Sequence, residues 1–153
     1  GHVSTRAKSV SDMLNDRLRS YLTLDDVYIS RVNNPGEIVA AYPRAQLYKD
    51  ELLFAIVPIK ESISKTTTSV SYFGKQRLPV WIAMPAFEIE GGVQATGMQF
   101  DLDAYLTKTT SDYFSVLEAT ARATNWPEIS FSGEAFLVNK QRIDLFCVEE
   151  KDA

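Results

Sequence analysis

The sequence predicts an α+β protein, mostly antiparallel β, folded as a pseudo-duplicated small barrel or as paired sheets with two short helices. Three observations favour this fold. Short apolar runs alternate with turn signals along most of the chain, which is typical of antiparallel meanders. Two stretches, beginning near residues 10 and 102, space their apolar residues as helices do. Residues 21–29 also have a counterpart 92 positions later, at 113–121, with aromatic, apolar, hydroxyl and acidic residues in the same order.

The first half is predicted to begin with a short helix and to continue as a meander. Ser9 is a candidate N-cap, and the helical spacing that follows it extends to about residue 19. The apolar alternation of the first strand breaks near Asp26, which predicts a bulge there. A turn signal follows at 33–36, where proline and glycine are adjacent. The expected strands are 21–31, 37–48 with an interruption at Pro43, and 52–58.

Two segments of different character precede the second half. In the segment 60–78, residues 61–71 are rich in Ser, Thr and Lys, and a long exposed loop or a mobile β-ribbon is expected there. The most apolar part of the chain follows, and 79–95 is expected to form a hairpin that turns at 90–92, where two glycines are adjacent. Asp101 is then a candidate cap for a second helix that ends at about residue 109. The remaining strands are expected at 113–122, 129–138 and 142–149.

Each half thus has the same order of elements: helix, strand, turn, strand, tight turn and strand. The offset between the copies is 92 before the first turn and 90 after it, and an even change leaves the faces of the strands unaltered. We therefore predict one domain over 3–153 with pseudo-repeats at 9–58 and 101–149, although two unrelated meanders would give a similar pattern. The 79–95 hairpin precedes only the second copy. Residues 1–2 resemble the remnant of a cleaved tag.

Several of these stretches resemble a bacterial family of uncharacterised small β-domains. In that family an E-G hairpin leads to a short helix, a FLPLTDV-like strand and an LVNKxxI strand-turn-strand. The matching stretches here are 90–91, 102–106, 21–27 with 113–119, and 137–143, of which the last is the closest match. In the first copy, residues 47–52 lack the asparagine of that motif. The resemblance implies a fold, but it implies no activity and no site residues.

Composition and charge narrow the classes of function. Apolar residues make up 45% of the chain and charged residues 24%, which is typical of a globular protein. The net charge of −4 argues against a nucleic-acid binder, since such proteins normally present a basic surface. The single cysteine, Cys147, excludes an intrachain disulfide and favours a reducing, cytoplasmic location. No apolar run approaches the roughly 18 residues of a membrane-spanning helix.

No catalytic or cofactor motif stands out, so we expect neither an enzyme nor a bound cofactor or metal. Asp101 and Asp103 have the spacing of some metal sites, but acids at a helix start are more simply explained as capping residues. Cys147 lies among apolar residues and is expected to be a buried thiol. If residues 1–2 are a tag remnant, the only histidine, His2, is not native, and histidine acid/base and metal chemistry are both removed.

Aromatic residues give the best indication of a binding surface. The predicted interaction patch comprises Tyr72, Phe73, Trp81, Phe87 and Trp126. We hypothesise a non-catalytic protein-interaction or regulatory module, whose partner is another protein or a second copy joined through an edge strand. The alternatives are a small-ligand domain with an apolar pocket between the halves and a single-stranded nucleic-acid binder. Function is expected where the copies differ, in the 60–78 loop and the 79–95 hairpin.

Overall fold

A computed structural model describes residues 1–5, 8–64, 75–96, 101–107 and 111–149. The predicted fold class is confirmed, because antiparallel strands dominate and two short helices accompany them. The strands form two sheets and no closed barrel, so the paired-sheet form of the prediction is the right one. The helices are α1 (Val10–Asn15) and α2 (Leu102–Thr107). The strands are β1 (Tyr21–Arg31), β2 (Asn34–Tyr48), β3 (Phe54–Val57), β4 (Lys75–Met84), β5 (Phe87–Thr96), β6 (Tyr113–Ala123), β7 (Trp126–Asn139) and β8 (Leu145–Val148).

The larger sheet has six antiparallel strands in the order β3-β7-β6-β5-β4-β8. Its central hairpin, β4–β5, pairs without a register shift as far as Met84 and Phe87. One face of the sheet buries the main core, in which Ile82, Ile89 and Phe136 are fully enclosed. The edge strands β3 and β8 have four residues each. Such short edges present few unpaired backbone groups to other chains.

The strands β1 and β2 form a separate two-stranded sheet. The base of this hairpin packs against α1 and against the second face of the larger sheet, through a cluster that contains Leu14, Leu22, Tyr113 and Leu137. The described members of that cluster include none between residues 27 and 42. The far half makes other contacts: Val32, at the tip of the hairpin, is half-buried against the main core, and Val27 of β1 is buried.

The helix α1 begins and ends at specific side-chain contacts. Ser9 is the N-cap, as predicted, and it forms a capping box with Asp12 through two hydrogen bonds of 3.1 Å. The helix ends at Asn15 and not near residue 19. The Asn15 side chain accepts a hydrogen bond from the Tyr113 amide at 2.8 Å and donates one to the Tyr113 carbonyl at 3.3 Å. Because these two bonds fix the end of α1 against β6, Leu18 lies outside the helix and is exposed.

The two halves share their element order and several local geometries. Asp26 in β1 and Glu118 in β6 both have a positive φ, 50° and 47°, at the predicted offset of 92. In each half a 3₁₀ turn follows the second long strand, at Lys49–Glu51 and at Lys140–Arg142. A four-residue strand comes next in both. An origin by duplication stays a prediction.

The offset of 90 expected after the first turn is wrong, because the two 3₁₀ turns lie 91 residues apart. The difference arises inside β2. Ile29 pairs with Ala40, whereas the next residue, Ser30, pairs with Ile38, so Val39 bulges out of the ladder. A change of one residue in the offset, taken alone, would turn the apolar side chains of β2 away from the face against which they pack. A one-residue bulge restores the face, and no change in the turn is needed.

Three further expectations need correction. The hairpin β4–β5 turns at residues 85–86, where Ala86 has a φ of 66°, and not at 90–92. Gly91 lies inside β5, where a Cβ would approach the Val116 side chain to 2.6 Å, so close packing and not a turn requires glycine there. Cys147 is exposed on β8, because its neighbours on either side turn toward the core instead.

The segment expected to be a loop over 60–78 is shorter than predicted. A 3₁₀ turn covers Ile59–Glu61, and β4 already begins at Lys75. The Ser62 carbonyl accepts a hydrogen bond from the Ser115 hydroxyl at 3.0 Å, which joins the start of this segment to β6. Residues 65–74 lie outside the described part of the chain.

Candidate functional site

The exposed large apolar side chains concentrate on the β1–β2 hairpin. Those on its far half are Tyr28, Ile29, Ile38, Val39 and Tyr42, which together we term the hairpin surface. Directly opposed and alternate residues share a face, so Ile29 and Tyr42 lie on one side and Tyr28 and Ile38 on the other. Tyr28 is 62% exposed, Ile38 57% and Tyr42 56%. A two-stranded sheet with apolar side chains exposed on both faces is typical of a surface that another chain covers.

The backbone of β1 adds hydrogen-bonding capacity to this surface. At Asp25, the outer side of the strand exchanges two backbone hydrogen bonds of 2.8 Å with His2. Beyond that bridge, residues 27–31 pair with β2 on one side, and none of the described strands lies along the other side. We term this open side the β1 edge. In the second half, the corresponding side of β6 pairs with β5.

The other edges of the two sheets are less suited to pairing. β2 contains Pro35 and Pro43, and proline has no amide hydrogen to donate. Pro43 lies opposite Asp26, at the point where the register passes from Asp25–Arg44 to Val27–Tyr42, so β2 continues through it and the expected interruption is absent. β3 and β8 are short. The β1 edge is therefore the long, proline-free edge of the described strands.

The predicted patch does not form a single surface. Phe87 belongs to the core, where it is 9% exposed and packs against Phe54 with ring centres 5.2 Å apart. Trp81 lies half-buried on β4, while Trp126 is exposed at the start of β7, with two strands between them in the sheet. Tyr72 and Phe73 lie outside the described residues. The inclusion of Phe87 was wrong because its face of β5 points into the core.

Trp81 does line a depression of about 420 Å³, between β4, β5 and β8. Glu90, Gly91 and the exposed Cys147 also contribute to its walls. The depression lies on the outer face of one sheet and not between the halves. A smaller cleft of about 190 Å³ does lie between the halves, but its walls are largely polar. They include Asp16, Arg17, Arg19, Lys49, Asp50, Asp112 and Asn139.

Lys49 is the most buried charged residue of that cleft, with 5% of its surface exposed. Its Nζ donates a hydrogen bond of 2.8 Å to the carbonyl of Asp16, the C-cap residue of α1. Burial lowers the pKa of Lys49, and the nearby Asp16 carboxylate offsets part of that change. Burial also lowers the pKa of Lys140, the corresponding residue of the second half. Since both halves place a lysine here and Lys49 stabilises a helix end, a structural role explains it better than catalysis.

Within the described residues, no three His, Cys, Asp or Glu side chains are grouped closely enough to hold a metal ion. Asp101 acts as the capping residue that its position indicates, because its carboxylate accepts a hydrogen bond from the Ala104 amide at 3.1 Å. The described helices include none that is both long and apolar enough to cross a membrane.

The hairpin surface was not identified from the sequence, although two signals for it were present. Tyr28 with Ile29, and Ile38 with Val39, are adjacent apolar pairs, and adjacent residues of a strand point to opposite faces. These pairs place apolar side chains on both faces of the hairpin. The second signal is the unequal pairing of the halves, since a hairpin precedes the second copy only.

Comparisons of this chain with protein-family models, with curated proteins and with solved structures each give no match.

Proposed function

We propose that this protein is a non-catalytic interaction module that binds another protein chain through the hairpin surface and the β1 edge. One observation carries the proposal: the far half of the β1–β2 hairpin exposes apolar side chains on both faces, next to an open strand edge. A partner that adds a strand would satisfy the open backbone groups and cover the apolar side chains at the same time.

Burial of these side chains in a complex contributes substantially to the free energy of binding. Covering an exposed apolar side chain contributes about 1.5–3 kcal/mol when the burial is complete. Tyr28 and Tyr42 are the largest side chains of the surface, and tyrosine is enriched in protein interfaces, where its hydroxyl remains at the polar rim. Aliphatic Ile29 and Ile38 lie beside them. The combination supports a specific interface rather than a set of scattered exposed residues.

The two alternatives have less support. The alternative of a small-ligand domain places an apolar pocket between the halves near Trp81, Phe87 and Trp126, but Phe87 is in the core and the described cleft between the halves is polar. A binder of single strands would need a basic groove beside its aromatic residues, and the chain carries a net charge of −4.

Site-specific photocrosslinking in the native cell tests the proposal. A benzophenone side chain is placed at Tyr28 or at Tyr42, and in matched variants at Ile59 or Leu145, which are similarly exposed but lie elsewhere. We expect protein adducts from the two hairpin positions and far fewer from the two control positions. Equal yields from all four positions, or no adduct from the hairpin, would contradict the proposal.

A further inference from the structure

Resting on the interaction function proposed above, we infer that the chain covering the β1 edge is a second copy of this protein. The two copies pair β1 with β1 in antiparallel orientation about a two-fold axis. The result is a four-stranded sheet in the order β2-β1-β1-β2, formed by the hairpins of both copies.

The second half of the chain shows what an edge of this kind accepts. β6, the counterpart of β1, pairs with β5, and β5 is in turn one strand of the hairpin β4–β5. That gives the order β7-β6-β5-β4, with antiparallel neighbours throughout. When a second copy presents its own β1–β2 hairpin, its β1 takes the place of β5 and its β2 the place of β4. A two-fold axis makes the contact between two identical edges antiparallel, as the contact of β6 with β5 is.

The β1 edge already has the backbone shape that this pairing uses. The register of β6 on β5 shifts by one residue between Thr120 and Leu117, at the position of Glu118 with its positive φ. Asp26 gives β1 the same shape. The backbone bridge between His2 and Asp25 occupies the place that the pairing of Gly92 with Leu117 occupies in the second half, which shows that antiparallel backbone fits this edge.

Charge favours the antiparallel contact between two copies. Asp26 lies at one end of the β1 edge and Arg31 at the other, while the neighbouring Asp25 pairs with Arg44 of its own chain at 3.1 Å. Antiparallel pairing brings the acidic end of each copy toward the partner's Arg31, whereas a parallel contact would place like charges together. In the second half, Glu118 pairs with Arg77 of β4, one strand beyond β5, at 2.9 Å.

Sedimentation equilibrium of the full chain, over a range of micromolar concentrations, provides the first test. We expect the mass to rise from that of one chain to that of two, and hydrogen exchange at residues 27–31 to slow as the dimer forms. Ile29→Lys should abolish dimerisation, while Leu145→Lys, a comparable change on an exposed residue of β8, should not. A wild-type chain that remains monomeric throughout, or a dimer that Ile29→Lys leaves intact, would overturn the inference.

Loss of dimers in Ile29→Lys would also follow if that variant folds poorly, so a charge-exchange experiment provides a second test. Arg31→Glu and Asp26→Lys should each weaken self-association by about tenfold, since each homodimer then opposes like charges twice. An equimolar mixture of the two variants should restore dimers, because the mixed dimer opposes unlike charges at both contacts. Failure of the mixture to associate would exclude this register.

If the wild type is monomeric but crosslinks a different protein through the hairpin, the inference fails and the proposed function stands. If no crosslink forms, both fail.

Discussion

Asp26 and Glu118 hold the same left-handed backbone conformation, with φ of 50° and 47°, at equivalent positions of β1 and β6. Their surroundings differ: Glu118 faces the β5 strand, whereas the described neighbour of β1 at this point is the short backbone bridge at His2. Since β2 lies opposite Asp26 and β7 lies opposite Glu118 in the same way, the two positions differ in the strand on the other side. The same conformation at both positions indicates that a full strand in the place of β5 is not needed to impose it.

The first prediction concerns this conformation at Glu118. A β-branched residue is strained at positive φ, whereas asparagine is among the residues that adopt it most readily. Glu118→Val should lower the free energy of unfolding by roughly 1–2 kcal/mol, and Glu118→Asn should change it by less than about 0.5 kcal/mol. Denaturant unfolding measures both. Arg122→Val, at an exposed position further along β6, is the control, and an equal loss there would show that strain at Glu118 is not the cause.

The second prediction uses two glycines in different surroundings. A Cβ at Gly91 would lie 2.6 Å from the Val116 side chain and 3.0 Å from the Leu117 carbonyl oxygen, while a Cβ at Gly36 would meet nothing within 4 Å. Gly91→Ala should therefore destabilise the protein by about 1–3 kcal/mol through overpacking. Gly36→Ala should be neutral or stabilise by up to about 1 kcal/mol, because it restricts the unfolded chain. Thermal unfolding should give a melting temperature below that of the wild type for Gly91→Ala and at or above it for Gly36→Ala, and similar values for the two variants would refute the packing argument.

Local signals predicted the fold best. The bounds of β1 and the start of α2 are as expected, because a turn signal or a cap residue marks each of them. The interruption expected at Pro43 is absent because Pro43 lies opposite Asp26, whose φ is positive, and the pairing continues past both without a register shift. The turn expected at Gly91 is absent for a similar reason, since the sequence does not show that the Val116 side chain packs against this glycine. These are effects of tertiary contact, which local patterns do not contain.

The candidate site was harder to predict than the fold. Aromatic content pointed to Phe87 and Trp81, but the face of a strand that enters the core depends on how the strands are assembled. Phe87 pairs with Ala123 and contacts Phe54, which is distant in sequence. The exposure of Tyr28 depends likewise on which strands lie beside β1. The unequal surroundings of the two halves were visible in the sequence, and the structure shows the same inequality in the strands beside β1 and β6.

The third prediction concerns the contact between α1 and β6. The Asn15 side chain bonds both the amide and the carbonyl of Tyr113, and Tyr113 is buried. Asn15→Ala should leave both backbone groups without these bonds and lower the free energy of unfolding by about 2 kcal/mol. Asn34→Ala, which removes one exposed hydrogen bond to Glu37, should cost less than about 0.5 kcal/mol. Equal effects of the two variants would show that the Asn15 contact does not hold the halves together.

The last prediction is a dependence of stability on alkaline pH, caused by Tyr113. Its hydroxyl donates a hydrogen bond to the Lys49 carbonyl, and burial, with the nearby carboxylates of Asp50 and Asp112, raises its pKa from 10.0 to about 12. Between these values the folded protein keeps a proton that the unfolded chain has lost. The contribution of Tyr113 to stability is therefore complete below pH 10 and is lost as the pH rises toward 12, by an amount on the order of 2 kcal/mol.

Tyr113→Phe isolates this contribution. At neutral pH the variant should be less stable than the wild type by about 1–2 kcal/mol, because the Lys49 carbonyl loses its buried donor. As the pH rises from 10 toward 12, the wild type should lose stability faster than the variant. The difference in their free energies of unfolding should therefore shrink and then reverse. Tyr48→Phe, at an exposed position, should follow the wild type at every pH. A difference between wild type and Tyr113→Phe that stays constant with pH would contradict the raised pKa, even if the loss of stability at neutral pH is found.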